Sequence, residues 1–287
     1  MSRIPEKISV PYLRSLKSTR KIVALTAYDF TQASIADQSD IDLLLVGDSL
    51  GCVVQGHETT IPVTLEDAIY HCRCVSRGVK RALLVGDLPF MSYQLSQEQA
   101  LKSAAALLQQ GGASAVKLEG GITVADKIKA IAECDIPVVG HIGLTPQSFH
   151  RMGGHRIQGK THSTSKEPES GTWERIFADA KAVESAGAFA VVLEGVPEEL
   201  ATEITKAISI PTIGIGAGAE CDGQILVWHD LLGLTPKSPK FAKRYLNLRE
   251  EISTALNSYA SEVRDEIFPS KSSTQIVNNS SKSVGEN

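Results

Sequence analysis

The chain has 287 residues, of which 42% are hydrophobic, 22% charged and 5% aromatic; these values are typical of a soluble globular protein and exclude a largely disordered one. Its 29 basic and 33 acidic residues give a formal net charge of −4, so charge provides no basis for binding nucleic acid or an anionic membrane. No apolar run approaches the roughly 20 residues that a membrane-spanning helix needs.

The cysteine pattern predicts reduced thiols in a cytosolic protein. The five cysteines are Cys52, Cys72, Cys74, Cys134 and Cys221. An odd, scattered set in a long chain makes a poor disulfide framework, and no pair has the CxxC spacing of a zinc site. We therefore expect the protein to be cytoplasmic.

Short apolar runs rich in β-branched residues alternate with segments of helical periodicity. Each run has the length of a buried strand and lacks clean polar alternation, as expected for a parallel sheet that is covered on both faces. The runs are Ile22–Thr26, Asp42–Gly47, Ala82–Gly86, Ala115–Leu118, Pro137–Gly140, Ala190–Leu193, Thr212–Ile215 and Ile225–Val227.

The segments between the runs carry helix signals. Thr64 and Asp67 form a pair that resembles a capping box, and Ser96 is a candidate cap for a helix that stops at a Gly-Gly pair. The predicted helices are Tyr12–Ser18, Thr64–Arg77, Ser96–Gln110, Thr172–Ala186, Pro197–Ile208 and a long terminal helix over Phe241–Ile267.

This alternation favours a single (β/α)₈ TIM barrel with an N-terminal helix over residues 1–268. The alternative is an open doubly wound sheet, which usually carries a glycine-rich turn after its first strand. Here the first run is followed by Ala27-Tyr28-Asp29, without glycine, which favours the barrel. The Ser/Asn-rich tail, residues 269–287, is predicted to be disordered.

Ionisable residues stand at the ends of five successive runs. They are Asp48, Asp87, Glu119, His141 and Glu194. In a barrel all the strand carboxyl ends meet at one mouth, where active sites are built. The order of these residues along the chain therefore predicts a ring of functional side chains.

The acidic members of this ring predict a metal site. Asp48, Asp87 and Glu119 offer only oxygen ligands, which hard divalent ions such as Mg²⁺ prefer. Lys117 stands two residues before Glu119, so both side chains project to the same side of the strand. Lys117 is therefore a candidate for binding a substrate carboxylate.

Each of these residues also has a purely structural interpretation. An aspartate after a strand often caps a helix or a turn, Lys117 and Glu119 could simply form an ion pair, and His141 could be a core histidine. The regular recurrence of acids after four strands favours the active-site interpretation.

Several blocks around these residues carry a family resemblance. The blocks are Leu25–Asp29 (LTAYD), Val46–Gly56 (VGDSLGCVVQG), Asp87–Met91 (DLPFM), Val116–Gly121 (VKLEGG), Gly140–Gln147 (GHIGLTPQ), Gly214–Gly218 (GIGAG) and Asp222–Gln224 (DGQ). In this order, from about Val10 to about Pro269, the sequence closely resembles the ketopantoate hydroxymethyltransferases.

The resemblance implies a barrel of the phosphoenolpyruvate/pyruvate type and a one-carbon transfer from 5,10-methylenetetrahydrofolate to 3-methyl-2-oxobutanoate, which yields ketopantoate. It implies one Mg²⁺ per subunit, a cytoplasmic location and a homodecamer. The implied metal residues are Asp48, Asp87 and Glu119, the implied substrate-binding residues are Asp48, Ser49, Asp87, Lys117 and His141, and the implied proton acceptor is Glu194.

Two other classes of function stay open at this stage. A metal-dependent lyase or aldolase acting on another 2-oxo acid would use the same enolate chemistry, and an aldolase could instead form a Schiff base at Lys117. A non-catalytic metabolite-binding barrel would keep the lysine and the metal ligands but would have no use for a base at Glu194.

Overall fold

The protein forms a closed barrel of eight parallel strands, which the computed structural model describes within residues 7–270. Each strand pairs with the next one in the chain, and the last strand returns to pair with the first. The strands are β1 Ile22–Thr26, β2 Leu43–Val46, β3 Leu83–Asp87, β4 Ala115–Glu119, β5 Val138–Gly143, β6 Ala190–Glu194, β7 Thr212–Ile215 and β8 Gly223–Leu226. Closure confirms the predicted (β/α)₈ fold and rules out the open doubly wound sheet.

The helices lie outside the barrel or at its ends. They are α1 Val10–Ser15, α2 Phe30–Gln38, α3 Leu50–Val53, α4 Leu65–Ser76, α5 Gln97–Gln109, α6 Ala125–Ala132, α7 Phe149–Met152, α8 Trp173–Ser185, α9 Glu198–Ala207, α10 Trp228–Leu231 and α11 Leu248–Arg264. Within residues 7–270, no helix is long and apolar enough to cross a bilayer.

Two packed layers follow from the period-two alternation of the strands. On β3, Leu83 and Val85 belong to the apolar cluster inside the barrel, whereas Leu84 belongs to the cluster between the strands and the helices. Near α1, Leu13 and Leu16 join the interior cluster and are buried. Interior side chains thus fill the barrel as a packed core.

The predicted helix caps are confirmed. The Thr64 hydroxyl accepts a hydrogen bond from the Asp67 N–H (3.1 Å), and the Asp67 carboxylate accepts one from the Thr64 N–H (3.0 Å), which completes a capping box on α4. Ser96 caps α5 by accepting a hydrogen bond from the Gln99 N–H. These caps satisfy backbone donors that the first helical turn leaves free.

The predicted terminal helices differ from the observed ones. α1 begins earlier than predicted because Ser9 caps it, and it ends before Ser18, whose φ of 58° is not helical. The C-terminal prediction was too long, since α11 spans only Leu248–Arg264. Phe241 precedes the helix and packs against Gly216, where a Cβ would approach its ring to 2.8 Å. The predicted domain boundary at 268 stays a prediction, since residues 271–287 of the proposed tail lie outside the described residues.

Replacement of the Thr64 cap tests this account of α4. Thr64→Ala removes the hydroxyl that satisfies the Asp67 N–H, so we expect the free energy of unfolding to fall by about 1 kcal/mol. Thr202→Ala, in the interior of α9, is the matched control and should leave it nearly unchanged. Urea denaturation followed by circular dichroism measures both; equal stability of the two variants would contradict the assignment.

Candidate active site

Strand parity brings the predicted ionisable residues together at the mouth of the barrel. Side chains of a strand point alternately into and out of the barrel, and five ionisable residues follow the interior apolar residues of their strands at even spacing. They are Asp87, Lys117, Glu119, His141 and Glu194. Their side chains therefore continue the interior rows at the carboxyl end, where polar groups replace apolar ones. His141 lies within β5, which extends to Gly143, and not at its end as the sequence predicted.

Asp48 and Ser49 enter the site from the turn after β2. The Asp48 N–H donates to Asp87 Oδ2 (3.1 Å), and the Asp48 carboxylate accepts a hydrogen bond from the Gln147 side chain (2.9 Å). The Ser49 hydroxyl lies 2.8 Å from the Tyr28 hydroxyl. Helix capping is instead performed by Asp29, whose carboxylate accepts from the Gln32 N–H. Asp48 therefore lies in the candidate site, and its side chain does not cap a helix.

Lys117 is the cation at the centre of the mouth. Its Nζ lies 2.9 Å from Asp87 Oδ1 and 3.8 Å from Glu119 Oε1, and all three side chains are buried. Its nearer carboxylate is thus Asp87, not the Glu119 partner that the sequence alone proposed. Burial alone would lower the pKa of Lys117, but Asp87, Glu119 and Asp48 outweigh burial and raise it. A protonated lysine argues against Schiff-base chemistry at this residue.

His141 connects two acids across the mouth. Its Nε2 lies 3.1 Å from Glu194 Oε2, and its Nδ1 lies 3.5 Å from Glu119 Oε1. Burial and Lys117 oppose a charged imidazole, but the two carboxylates prevail and raise the pKa of His141 to about 9. Lys117 Nζ lies 3.2 Å from His141 Nδ1 and could donate a hydrogen bond to it only when the imidazole is neutral. When the imidazole is protonated, its contacts with the two carboxylates are therefore stronger than its contact with Lys117. His141 is therefore part of the charged site and not an isolated core histidine.

Gln147 and Tyr93 contact residues of the candidate site, and the search for charged groups in the sequence missed both. Besides Asp48, the Gln147 side-chain amide donates to the Leu88 carbonyl (3.0 Å), and the Gln147 backbone N–H donates to Glu119 Oε2 (3.0 Å). The Tyr93 hydroxyl donates to Gln147 Oε1 (2.7 Å). The sequence signal was faint, because a neutral glutamine after a strand is common in loops.

The mouth carries more negative than positive charge. Four carboxylates (Asp48, Asp87, Glu119 and Glu194) face two cationic groups. Burial first, and then Asp87 and Glu119, raise the pKa of Asp48 well above its usual value. Asp87 Oδ1 and Glu119 Oε1 are also buried without a well-aligned hydrogen bond. A divalent cation beside these oxygens would offset the excess charge.

The donor set fits a magnesium ion that takes part of its coordination from other sources. No three His, Cys, Asp or Glu side chains within residues 7–270 are arranged as a complete metal site. Mg²⁺ typically binds through one or two carboxylates and fills its octahedron with water and substrate oxygens. Asp48 and Asp87 meet that requirement, whereas the third ligand position predicted for Glu119 stays a prediction.

A small cavity lies directly under these groups. Its volume is about 100 Å³, below the range of drug-sized pockets, so it suits a small acid. Its polar lining comes mainly from β3, β4 and β5, whereas Ile215, Ile225 and Leu226 line it from β7 and β8 across the barrel. Leu45, Val192 and Val227 add apolar lining, and Thr26 adds a hydroxyl. The cavity can therefore hold a molecule with an oxygen-rich end and a compact hydrocarbon end.

The closed parallel barrel and the charged mouth define a (β/α)₈-barrel enzyme. The family model of ketopantoate hydroxymethyltransferase matches residues 7–271. The protein named 3-methyl-2-oxobutanoate hydroxymethyltransferase in Thermoanaerobacter sp. (strain X514) is 54% identical over 266 residues, which cover 92% of this chain and 94% of that protein. A protein of the same name in Pelobacter propionicus is 50% identical, over 94% of this chain and 98% of its own. The chain belongs to the ketopantoate hydroxymethyltransferase family.

Solved structures share the fold at low sequence identity. Phosphonopyruvate hydrolase in complex with oxalate and Mg²⁺ has a TM-score of 0.58 at 14% identity, over 93% of this chain and 92% of that one. 2,3-Dimethylmalate lyase, a member of the PEP mutase/isocitrate lyase superfamily, has a TM-score of 0.58 at 18% identity, over 93% and 91%. These similarities confirm the predicted (β/α)₈ barrel fold.

A double-mutant cycle tests the central ion pair. Lys117→Met leaves Asp87 buried without its cation, so we expect a loss of about 3–5 kcal/mol in the free energy of unfolding. The double variant Lys117→Met/Asp87→Asn removes both charges and should be more stable than Lys117→Met alone. Denaturation in the presence of EDTA gives the free energy of unfolding of the wild type, Lys117→Met, Asp87→Asn and the double variant. If the effects of the two single substitutions add up to that of the double variant, the two charges do not interact.

Titration of His141 tests the electrostatics of the mouth. A folded-state pKa of about 9, above the unfolded value of about 6.5, means that the bound proton stabilises the fold. This contribution is fully present below pH 6.5 and is lost as the pH rises through 9. Ring-proton NMR of the EDTA-treated protein should show the His141 midpoint near 9, and Glu194→Gln should lower it. A wild-type midpoint at or below 6.5 would overturn the assignment.

Proposed function

We propose that this protein transfers a hydroxymethyl group from 5,10-methylenetetrahydrofolate to 3-methyl-2-oxobutanoate and forms 2-dehydropantoate (ketopantoate) for pantothenate and coenzyme A biosynthesis. The observation that carries the proposal is the small cavity with Asp48, Asp87 and Lys117 on one side and Glu194 in its wall. This arrangement can hold a 2-oxo acid by its oxygens and place a carboxylate beside the carbon next to the ketone.

The two ends of the cavity match the two ends of 3-methyl-2-oxobutanoate. The Lys117 ammonium would bind the carboxylate as a compact positive charge, and the Ser49 hydroxyl, fixed by Tyr28, would orient the ketone. The isopropyl group would contact the apolar wall, which includes Val192 and Ile225. Burial of this group disfavours keto acids with a polar side chain.

A divalent ion held by Asp48 and Asp87 would supply Lewis acidity toward the ketone oxygen. Gln147 supports this role, because its amide fixes the Asp48 carboxylate and its backbone N–H fixes Glu119. The Asp48 N–H holds the Asp87 carboxylate in turn. These contacts pre-organise the oxygens that would face the ion.

Glu194 is the proposed proton acceptor. Its side chain is 18% exposed, more than the other ionisable groups of the mouth, and its Oε2 lies 3.1 Å from His141 Nε2. Glu194 would take the proton from the methine carbon of the keto acid. That carbon would then form a bond to the methylene carbon of the donor. Both bonds from the methylene carbon to the folate nitrogens would break, and water would supply the hydroxyl oxygen. One nitrogen would take up a proton from this water, and the other would take up the proton removed by Glu194. No covalent bond to the protein is needed.

The predicted location and assembly are part of the proposal. The five cysteines form no disulfide, which supports a reducing compartment such as the cytoplasm. A row of exposed apolar residues on α11, including Leu256, Tyr259 and Val263, supports assembly of several copies. The decameric state itself rests on the family resemblance.

Exchange of the substrate methine proton tests the proposed chemistry directly. Proton NMR of 3-methyl-2-oxobutanoate in D₂O with protein and Mg²⁺ should show loss of the methine signal, and EDTA should prevent it. Addition of methylenetetrahydrofolate should then yield 2-dehydropantoate. Exchange without this product would favour a lyase or aldolase of another 2-oxo acid. The absence of both would favour a binding protein.

Glu194→Gln separates binding from proton removal. We expect this variant to bind Mg²⁺ and the keto acid as the wild type does, but to lose at least a hundredfold in exchange rate, since an amide cannot accept the proton. Glu199→Gln, an exposed residue of α9, is the matched control and should exchange normally. Exchange at a wild-type rate in Glu194→Gln would rule out this role.

A further inference from the structure

A second, larger cavity opens beside the reaction cavity at the same mouth of the barrel. Its volume is about 480 Å³, and it lies between the loops that follow β3, β4 and β5 and helix α8. Glu119 lines both cavities. The two cavities therefore adjoin beside the Glu119 side chain.

The two cavities differ in the size of ligand that they accept. The reaction cavity of about 100 Å³ has no room for a second substrate with several rings. The larger cavity falls within the range of about 300–1,000 Å³ that is typical of pockets for cofactor-sized ligands. Bond formation requires the two reacting carbons to approach to about 3–3.5 Å, so a donor must bind in an adjoining space. Within residues 7–270, the larger cavity provides such a space.

Asp179 of α8 gives this cavity an acceptor for ring N–H groups. Its Oδ1 accepts hydrogen bonds from the Ile122 N–H (2.8 Å) and from Arg175 Nε (3.0 Å), whereas Oδ2 accepts none within the described part of the chain. The carboxylate reaches the wall because Gly121 has no side chain, since a Cβ there would collide with Asp179. Burial raises the pKa of Asp179 in spite of these partners, so further N–H donors would stabilise its charge.

Arg151 provides positive charge at the rim of the same cavity. Its guanidinium donates to the Ser170 hydroxyl (2.8 Å) and contacts the Ser148 hydroxyl (3.3 Å), both of which are neutral. Among residues 7–270 no carboxylate lies within ion-pair distance of it, and its charge acts on Asp179 only from farther away. The side chain is exposed, so an anionic group that extends out of the cavity could pair with Arg151.

We propose that the larger cavity binds the bicyclic ring of the folate donor, with Asp179 Oδ2 accepting hydrogen bonds from the amino-pyrimidine edge and Arg151 pairing with the glutamate carboxylate. This inference rests on the proposed function and assigns the position of its second substrate. The flat faces of the ring would pack against apolar side chains of the wall, among them Phe90, Met152 and Ile176. The one-carbon group would then face Glu119 and the reaction cavity.

Binding of tetrahydrofolate, which carries no transferable carbon, tests the assignment on the full chain. Isothermal titration calorimetry with Mg²⁺ and keto acid present should show at least tenfold weaker binding for Asp179→Asn and for Arg151→Gln. Arg156→Gln is the matched control, because Arg156 is exposed on the same loop but does not line the cavity. All three variants should exchange the methine proton of the keto acid at the wild-type rate, because that step needs only the smaller cavity.

The outcomes separate this inference from the proposed function. Wild-type affinity for tetrahydrofolate in both Asp179→Asn and Arg151→Gln would overturn the assignment of the cavity while the transferase proposal stands. If Asp179→Asn does not fold, Arg151→Gln alone decides, since its side chain lies at the surface. A wild-type protein that neither exchanges the methine proton nor binds tetrahydrofolate would overturn the proposed function and this inference with it.

Discussion

Closure of eight parallel strands forces every second side chain into the interior of the barrel, and the site depends on this constraint. In the lower part of the interior these positions are apolar and provide packing, as Leu83 and Val85 do on β3. One step further along the same strand, Asp87 occupies the same row. The apolar rows that stabilise the fold therefore continue directly into the ring of charged side chains at the mouth. A substitution in the lower rows would shift the mouth as well, because the interior is close-packed.

Burial of so many charges is tolerated because they compensate one another. Lys117 lies between Asp87 and Glu119, and His141 connects Glu119 to Glu194. Removal of any one member would leave a buried charge without a partner, which costs more than the pair contributes. The remaining excess of negative charge is concentrated near Asp48, at the side that would face a cation. The same electrostatic arrangement thus accounts for stability and for the proposed chemistry.

The division of the mouth into two cavities follows from the lengths of the loops. The strands deliver the ionisable residues at fixed positions above the barrel axis, where little space remains. The long segment between β5 and α8, residues 144–172, encloses a larger space together with α8 and the shorter loops after β3 and β4. A rigid centre for proton removal and a peripheral pocket for a bulky donor can in this way be built on one scaffold.

The sequence by itself determined the barrel and most of its mouth. Hydrophobic runs located the strands, and the regular position of Asp48, Asp87, Glu119 and Glu194 after them predicted one site, because these features depend on local order along the chain. Gln147 and Tyr93 escaped this reasoning, since neutral side chains give no signal until the fold places them beside carboxylates.

Only the tertiary structure decided how the predicted groups pair. It placed Lys117 nearer to Asp87 than to Glu119, and it gave His141 two carboxylate neighbours. It also brought Asp179 of α8 against Gly121, which follows β4. These contacts join residues that lie far apart in the chain, and their distances depend on strand register and helix packing. Sequence patterns show whether a side chain of a strand points into the barrel or out of it. Which of the inward-pointing side chains contact one another is decided only when the barrel closes.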